Sequence, residues 1–133
     1  MTDKCVYEVT AAVIRREGRV LLTRRPPGGH LAGLWEFPGG KREANESLEA
    51  ALARELAEEL QIAVRVGERM AAVEHEYPDR VIHLHFFACR LLSGRPSPVG
   101  CDALSWVWPG SLAEYAMPPA DTGFVARLAA MET

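Results

Sequence analysis

The sequence predicts an α+β (α/β) fold, a mixed β-sheet with helices packed against it. Three observations carry the prediction. Runs rich in β-branched and aromatic residues recur along most of the chain, a long stretch of strong helix formers interrupts them near the middle, and helical segments close the chain. With 133 residues and 48% hydrophobic content, the chain is most simply a single domain over 1–133, able to bury a core without disulfides.

"YEVTAAVIRR" is β-branched and leads through Glu17-Gly18 into "RVLLTRR", a predicted hairpin. "PPGGHLAG" is a Pro/Gly-rich loop, followed by the short apolar piece "LWEF" and a break at Pro38-Gly39-Gly40. From Ser47 to Leu60 the residues favour a helix, with Asn45 or Ser47 available as N-cap. "RMAAVEHEY" and "VIHLHFFACRLL" read as strands across a Pro78-Asp79 turn, and Ser93-Gly94 ends the second. "ALSWVW" is the last predicted strand. "SLAEYA" and "TGFVARLAAM" are helical in composition, with Pro118-Pro119 between them.

The formal net charge of −3 argues against long duplex nucleic acid as a partner and leaves room for a small anion held by local cations. Cys5, Cys89 and Cys101 are odd in number and lack CxxC spacing, as expected of reduced thiols in a cytoplasmic protein. Charges interrupt the N-terminal stretch, so no signal peptide is expected, and no apolar run approaches the roughly 18 residues of a membrane span. His83 and His85 alternate on one strand face, but no third metal ligand is evident, and strand-face histidines are common.

The central helix carries the chemistry. With Glu55 at zero on a wheel of about 100° per residue, Leu48, Ala51, Leu52, Glu58 and Glu59 all fall within about 60° of it. The stripe begins apolar and turns acidic toward its C-terminal end. A solvated acidic face is the usual reading of such a run. Here, like charges at i,i+3 and i,i+4 repel, each acid opposes the helix dipole, and Arg54 is the only adjacent cation. A divalent cation reverses the sign of all these terms, and hard carboxylate oxygens suit Mg²⁺ or Mn²⁺.

The spacing Gly40, five residues, Glu46, seven residues, then Arg54-Glu55-Leu56-Ala57-Glu58-Glu59 resembles the Nudix box. The match fails at one position, where Gln61 replaces the motif glycine before Ile62. A left-handed residue is favoured just past a helix, so Gln61 is expected to cost about 1 kcal/mol without touching the carboxylates. The resemblance implies an α/β/α sandwich that hydrolyses nucleoside diphosphate linkages with bound Mg²⁺. Glu55, Glu58 and Glu59 would hold metal, helped by a backbone carbonyl at Gly39 or Gly40, while Glu46 and Arg54 orient the helix.

"GLWEFPGGK", "YPDR", "HLHFF" and "MPPAD" are similar to the MutT-like branch, which converts nucleoside triphosphates to monophosphates and pyrophosphate. That branch implies sanitation of 8-oxo-dGTP; relatives that prefer CTP, dCTP or modified cytosine nucleotides are the alternative. ADP-ribose hydrolysis, dinucleoside polyphosphate hydrolysis and non-catalytic nucleotide binding are further readings, as are a monomer or a homodimer. By position, Arg25, Phe37, Asp79 and Asp121 match substrate contacts, and Lys41 is placed to meet phosphate. Each also has a plainer role: a strand-end charge for Arg25, core packing for Phe37, turn formation for Asp79, a solvated cation for Lys41 and an N-cap for Asp121. Asp121 stands where strict MutT enzymes have Asn, and an ionised Asp only accepts hydrogen bonds, which suits an exocyclic amine. The acid expected before the last strand aligns near Gly100, with Asp102 the nearest carboxylate.

Overall fold

The computed structural model describes residues 4–29 and 31–131. In chain order it contains β1 (Cys5–Arg16), β2 (Arg19–Arg24), β3 (Trp35–Glu36), β4 (Gly39–Lys41), α1 (Leu48–Leu60), β5 (Ala63–Tyr77), β6 (Arg80–Ser93), β7 (Ala103–Val107), a 3-10 helix (Pro109–Glu114) and α2 (Pro119–Met131). Among the described residues the strands form one mixed sheet in the order β3-β2-β1-β6-β5, with β4 on β1 and β7 on β2. β1 and β6 run parallel from Cys5↔Arg80 to Ile14↔Cys89, and the other pairings are antiparallel.

The period-2 alternation of β1 and β2 divides the core into two layers. Ala11, Val13, Val20 and Leu22 face α2, where they pack with Phe37, Phe86, Phe124 and Leu128. Ala12, Ile14 and Leu21 face α1, where they pack with Leu52, Leu56, Leu60 and Phe87. Each large side chain buried in this way contributes roughly 1.5–3 kcal/mol. The result is the α/β/α sandwich expected from the sequence.

Ser47 caps α1, its side chain accepting from the Ala50 amide at 3.0 Å, while Asn45 takes a left-handed turn at φ 67°. Gln61 closes the helix at φ 59° and ψ 40°, and its amide donates to the Ala57 carbonyl at 3.1 Å. The left-handed position normally given to glycine is therefore retained, with a side chain in it.

Several boundaries differ from the sequence reading. Gly39-Gly40 does not only break the chain; with Lys41 it pairs with Val9–Ala11 as β4. β5 begins at Ala63, ahead of the predicted start at Arg69, because β6 supplies partners across two register shifts. Prolines open both C-terminal helical elements, at Pro109 and Pro119, where a missing amide hydrogen costs nothing. This puts Asp121 third in α2, which corrects the N-cap reading. Among the described residues, no helix is long and apolar enough to cross a membrane.

Candidate active site

A cleft of about 750 Å³ opens between β1, β4, β6, the exposed side of α1 and the start of α2. Its acidic end is built by close approach of backbone to helix. A side chain at Gly39, which has φ 154°, would lie 2.0 Å from the Thr10 carbonyl oxygen. A side chain at Gly40 would lie 2.4 Å from the Glu55 carboxylate. Two glycines thus let β4 sit against β1 and let Glu55 sit against β4. The Thr10 hydroxyl fixes the Gly40 carbonyl at 3.0 Å.

Glu55 and Glu59 meet across one helical turn, and their side chains hydrogen-bond to each other. Burial, then the charges of Glu55 and Glu36, push the Glu59 carboxyl up to about 8. Arg54 secures the outer side of this pair. Its Nε and Nη2 donate to Glu46 at 3.1 and 2.7 Å, and Nη2 also donates to the Lys41 carbonyl at 3.0 Å. Its Nη1 donates to Glu55 at 3.1 Å and to Glu58 at 3.0 Å. Hydrogen bonds from Arg54 and from the Glu43 amide hold Glu46 down to about 2.

Glu58 departs from the expected cluster. It is exposed, lies outside the cleft and pairs with Arg54 at i,i+4, because its wheel position is on the opposite flank of Glu55 from Glu59. Among the described residues no three His, Cys, Asp or Glu side chains converge as a ready-made metal cage.

The same cleft also carries a half-buried ion pair and a buried acid. Arg25 Nε donates to Glu36 Oε1 at 3.1 Å. Burial raises Glu36, against the pull of Arg25. Asp121 is only 5% exposed, and burial, reinforced by the Glu36 charge, pushes its carboxyl up to about 7. Phe37 is both a core residue and a cleft-lining residue. It lines the cleft while packing edge-on against Phe86 and Phe124, each at 5.7 Å. At the rim, the Lys41 ammonium lies 4.3 Å and the Arg80 guanidinium 5.5 Å from the Tyr7 ring centroid.

Other sequence candidates fall elsewhere. Asp79 is outside the cleft lining, because its carboxylate turns back to Arg80 at 2.9 Å and leaves Arg80 to face the cleft. Asp102 is held by Arg24, with Nε at 2.8 Å, and also lies outside the lining. Gly100 takes the position of the expected acid, and its Cα packs so closely on Glu59 that an added side chain would meet Glu59 Cγ at 3.0 Å. His83 and His85 are bridged by Glu8 at 2.7 and 2.8 Å, and His83 also pairs with Glu74 at 2.9 Å. They form a carboxylate–imidazole network.

Sequence reasoning missed Tyr7, Glu36 and Arg80 as cleft residues. Glu36 had a local signal, as the one charge inside "LWEF". Tyr7 and Arg80 had none, since β1–β6 pairing across more than 70 residues brings them together.

The donor set fits a hard divalent cation. Two carboxylates, Glu55 and Glu59, line the cleft one helical turn apart, beside a glycine whose missing side chain gives Glu55 room.

Residues 9–127 match the NUDIX domain family. The chain belongs to the Nudix family. It is 44% identical over 116 residues to the CTP pyrophosphohydrolase of Escherichia coli K12, covering 87% of this chain and 86% of that protein. It is 36% identical over 127 residues to the 8-oxo-dGTP diphosphatase of Haemophilus influenzae, covering 95% and 93%. The solution structure of the E. coli ORF135 protein aligns with a TM-score of 0.83 at 39% identity, covering 98% and 93% of the two chains. The MutT protein of Methanosarcina mazei aligns with a TM-score of 0.86 at 28% identity, covering 100% and 99%. The Nudix box, Gly40 to Ile62, lies wholly inside the matched region, and Nudix hydrolases generally use divalent metals.

Proposed function

We propose that this chain, as a single Nudix domain over 1–133, is a Mg²⁺-dependent nucleoside triphosphate pyrophosphohydrolase of the MutT type, with Mn²⁺ able to substitute. It converts a (d)NTP and water to the (d)NMP and pyrophosphate, and its role is sanitation of 8-oxo-dGTP in the cytoplasm. Family membership makes it a hydrolase of phosphoric anhydrides. One observation carries the finer reading. The Glu55–Glu59 pair, the half-buried Arg25–Glu36 ion pair and the buried Asp121 line one cleft, which supports a place for a polyphosphate beside a place for a base.

The side chains divide the work. Glu55 and Glu59, with the Gly40 carbonyl, are the proposed metal donors, and Glu58 joins them by exchanging its Arg54 contact. A bound divalent cation neutralises polyphosphate charge and makes water more acidic. Arg54, anchored by Glu46 and the Lys41 carbonyl, sets the Glu55 rotamer. Lys41 and Arg80 on Tyr7 offer cations to phosphate at the rim. Phe37 supports the base face, and Asp121 meets the base edge.

Hydrolysis of cytosine triphosphates is the second reading. Its support is Asp121, an acceptor when ionised, and the 44% identity to a CTP pyrophosphohydrolase. The test is a Mg²⁺-dependent panel of 8-oxo-dGTP, dGTP, CTP, dCTP, 5-methyl-dCTP, ADP-ribose and a dinucleoside tetraphosphate, with pyrophosphate and phosphate assayed separately. Pyrophosphate release from a triphosphate is expected. Turnover of ADP-ribose alone would overturn the MutT-type assignment, and preference for dCTP over 8-oxo-dGTP would select the second reading.

A further inference from the structure

At the end of the sheet away from the cleft, a second concavity of about 760 Å³ is lined by Arg15, Arg16, Arg90, Leu91, Gly94 and Arg95. Its charge is unusual in a chain with a net charge of −3. The strand registers place like charges opposite each other twice nearby, at Arg65↔Arg90 and Arg16↔Arg19. Directly opposed like charges destabilise a sheet, so neither pairing contributes to holding this end together.

The arginines here also differ from those around the cleft in their partners. Arg24, Arg25, Arg54 and Arg80 are each ion-paired to a carboxylate. Among the described residues, Arg16, Arg19, Arg65, Arg90 and Arg95 carry no ion pair. Arg16 and Arg19 rest instead over the Trp106 and Trp108 rings, at 5.6 and 4.8 Å from the centroids. Arg16, Arg90 and Arg95, which line the concavity and carry no ion pair among the described residues, concentrate positive potential there.

From this geometry we propose a second binding site, in which the distal groove holds the phosphodiester backbone of single-stranded nucleic acid. The occupant follows from charge complementarity and shape. Guanidinium groups gathered around one concavity offer paired donors to phosphate oxygens. The basic area is a local groove and not a broad face, which suits one flexible strand better than a rigid duplex. The site goes beyond the hydrolytic reading and shares no residue with the cleft, so either can fail alone.

The experiment is fluorescence anisotropy of a labelled 12-nucleotide oligothymidylate with the full chain, in EDTA, across a salt series. Binding is expected to weaken steeply with salt, with a log–log slope of about −2 to −4, the release expected for three to five phosphate contacts. Arg90→Glu with Arg95→Glu should weaken it at least tenfold and leave triphosphate hydrolysis within twofold of wild type. The milder Arg90→Gln with Arg95→Gln, checked by thermal melting, should show the same direction if the glutamate pair fails to fold. Absence of salt-sensitive binding, or full affinity in a folded double variant, overturns the site. Equal affinity for a 12-base-pair duplex, or capture of inorganic polyphosphate without the oligonucleotide, overturns the assignment to single strands.

Discussion

Replacing Gly40 with alanine should separate activity from stability. A β-carbon at this position falls 2.4 Å from both Cδ and Oε2 of Glu55 and 2.8 Å from Oε1, whereas ordinary contact begins near 3.4 Å. The carboxylate must therefore retreat by about 1 Å. Because the far end of a flexible side chain gives way, with no backbone in the path, the folding cost is small. The melting temperature should stay within about 4 °C of wild type. The functional cost is not small, since a 1 Å displacement of a positioned group is enough to remove about 10²-fold in rate. The assay is kcat/KM for pyrophosphate release at saturating Mg²⁺, alongside a thermal melt. Gly39→Ala is the control. Its β-carbon would lie 2.0 Å from a backbone oxygen at φ 154°, so it should cost about 3 kcal/mol or more in stability. A Gly40→Ala protein with more than half the wild-type kcat/KM, or one as unstable as Gly39→Ala, would refute the idea that Gly40 is there to make room for Glu55.

Three further outcomes follow from the same geometry. Gln61→Gly should stabilise the fold by about 1 kcal/mol in urea unfolding, because φ 59° is strained for glutamine and relaxed for glycine, while the amide bond to Ala57 is unchanged. Stability of the metal-free protein should fall between about pH 5 and 8.5. Glu59 at about 8 and Asp121 at about 7 keep protons that the unfolded chain has already lost, so deprotonation favours unfolding. His83, raised by Glu8, acts in the same direction; urea midpoints should lose most of this slope in Glu59→Gln with Asp121→Asn. Asp121 should also make base preference depend on pH. Below about 7 its neutral carboxyl both donates and accepts, as Asn does, and above that it only accepts. The ratio of kcat/KM for 8-oxo-dGTP to dCTP should therefore decline from pH 6 to 8.5, and Asp121→Asn should remove the decline.

The acidic helix was legible because its chemistry is local. The spacing from Gly40 to Gln61 is set by one helix and a short loop, and Ser47, Gln61 and the Glu55–Glu59 pair sit within that span. Even there, periodicity grouped Glu58 with its neighbours. Its wheel position lies on the flank of Glu55 opposite Glu59, and there it pairs with Arg54, one turn back. The sheet was legible as a set of strands but not as a set of neighbours. β4 looked like a loop because its pairing depends on β1, 30 residues away, accepting two glycines at close range. Tyr7 and Arg80 could not be connected before the parallel register of β1 and β6 was known.

The same limit governs substrate choice. Residue type alone makes Asp121 an acceptor, and from that the sequence leans toward an exocyclic amine. In the fold, α2 starts three residues earlier than its composition implies, and Asp121 is carried into a buried position beside Glu36. The loss of water, and then the nearby Glu36 charge, both favour the neutral acid, and Arg25 offsets them only in part. An aspartate held near neutrality can present either the hydrogen-bonding pattern of asparagine or that of an anion. The substitution that seemed to separate guanine from cytosine recognition therefore does not separate them by itself. What separates them is the field that Glu36 and Arg25 impose on it, and a charge-neutralising Glu36→Gln should favour ionisation and shift the preference toward cytosine nucleotides at fixed pH.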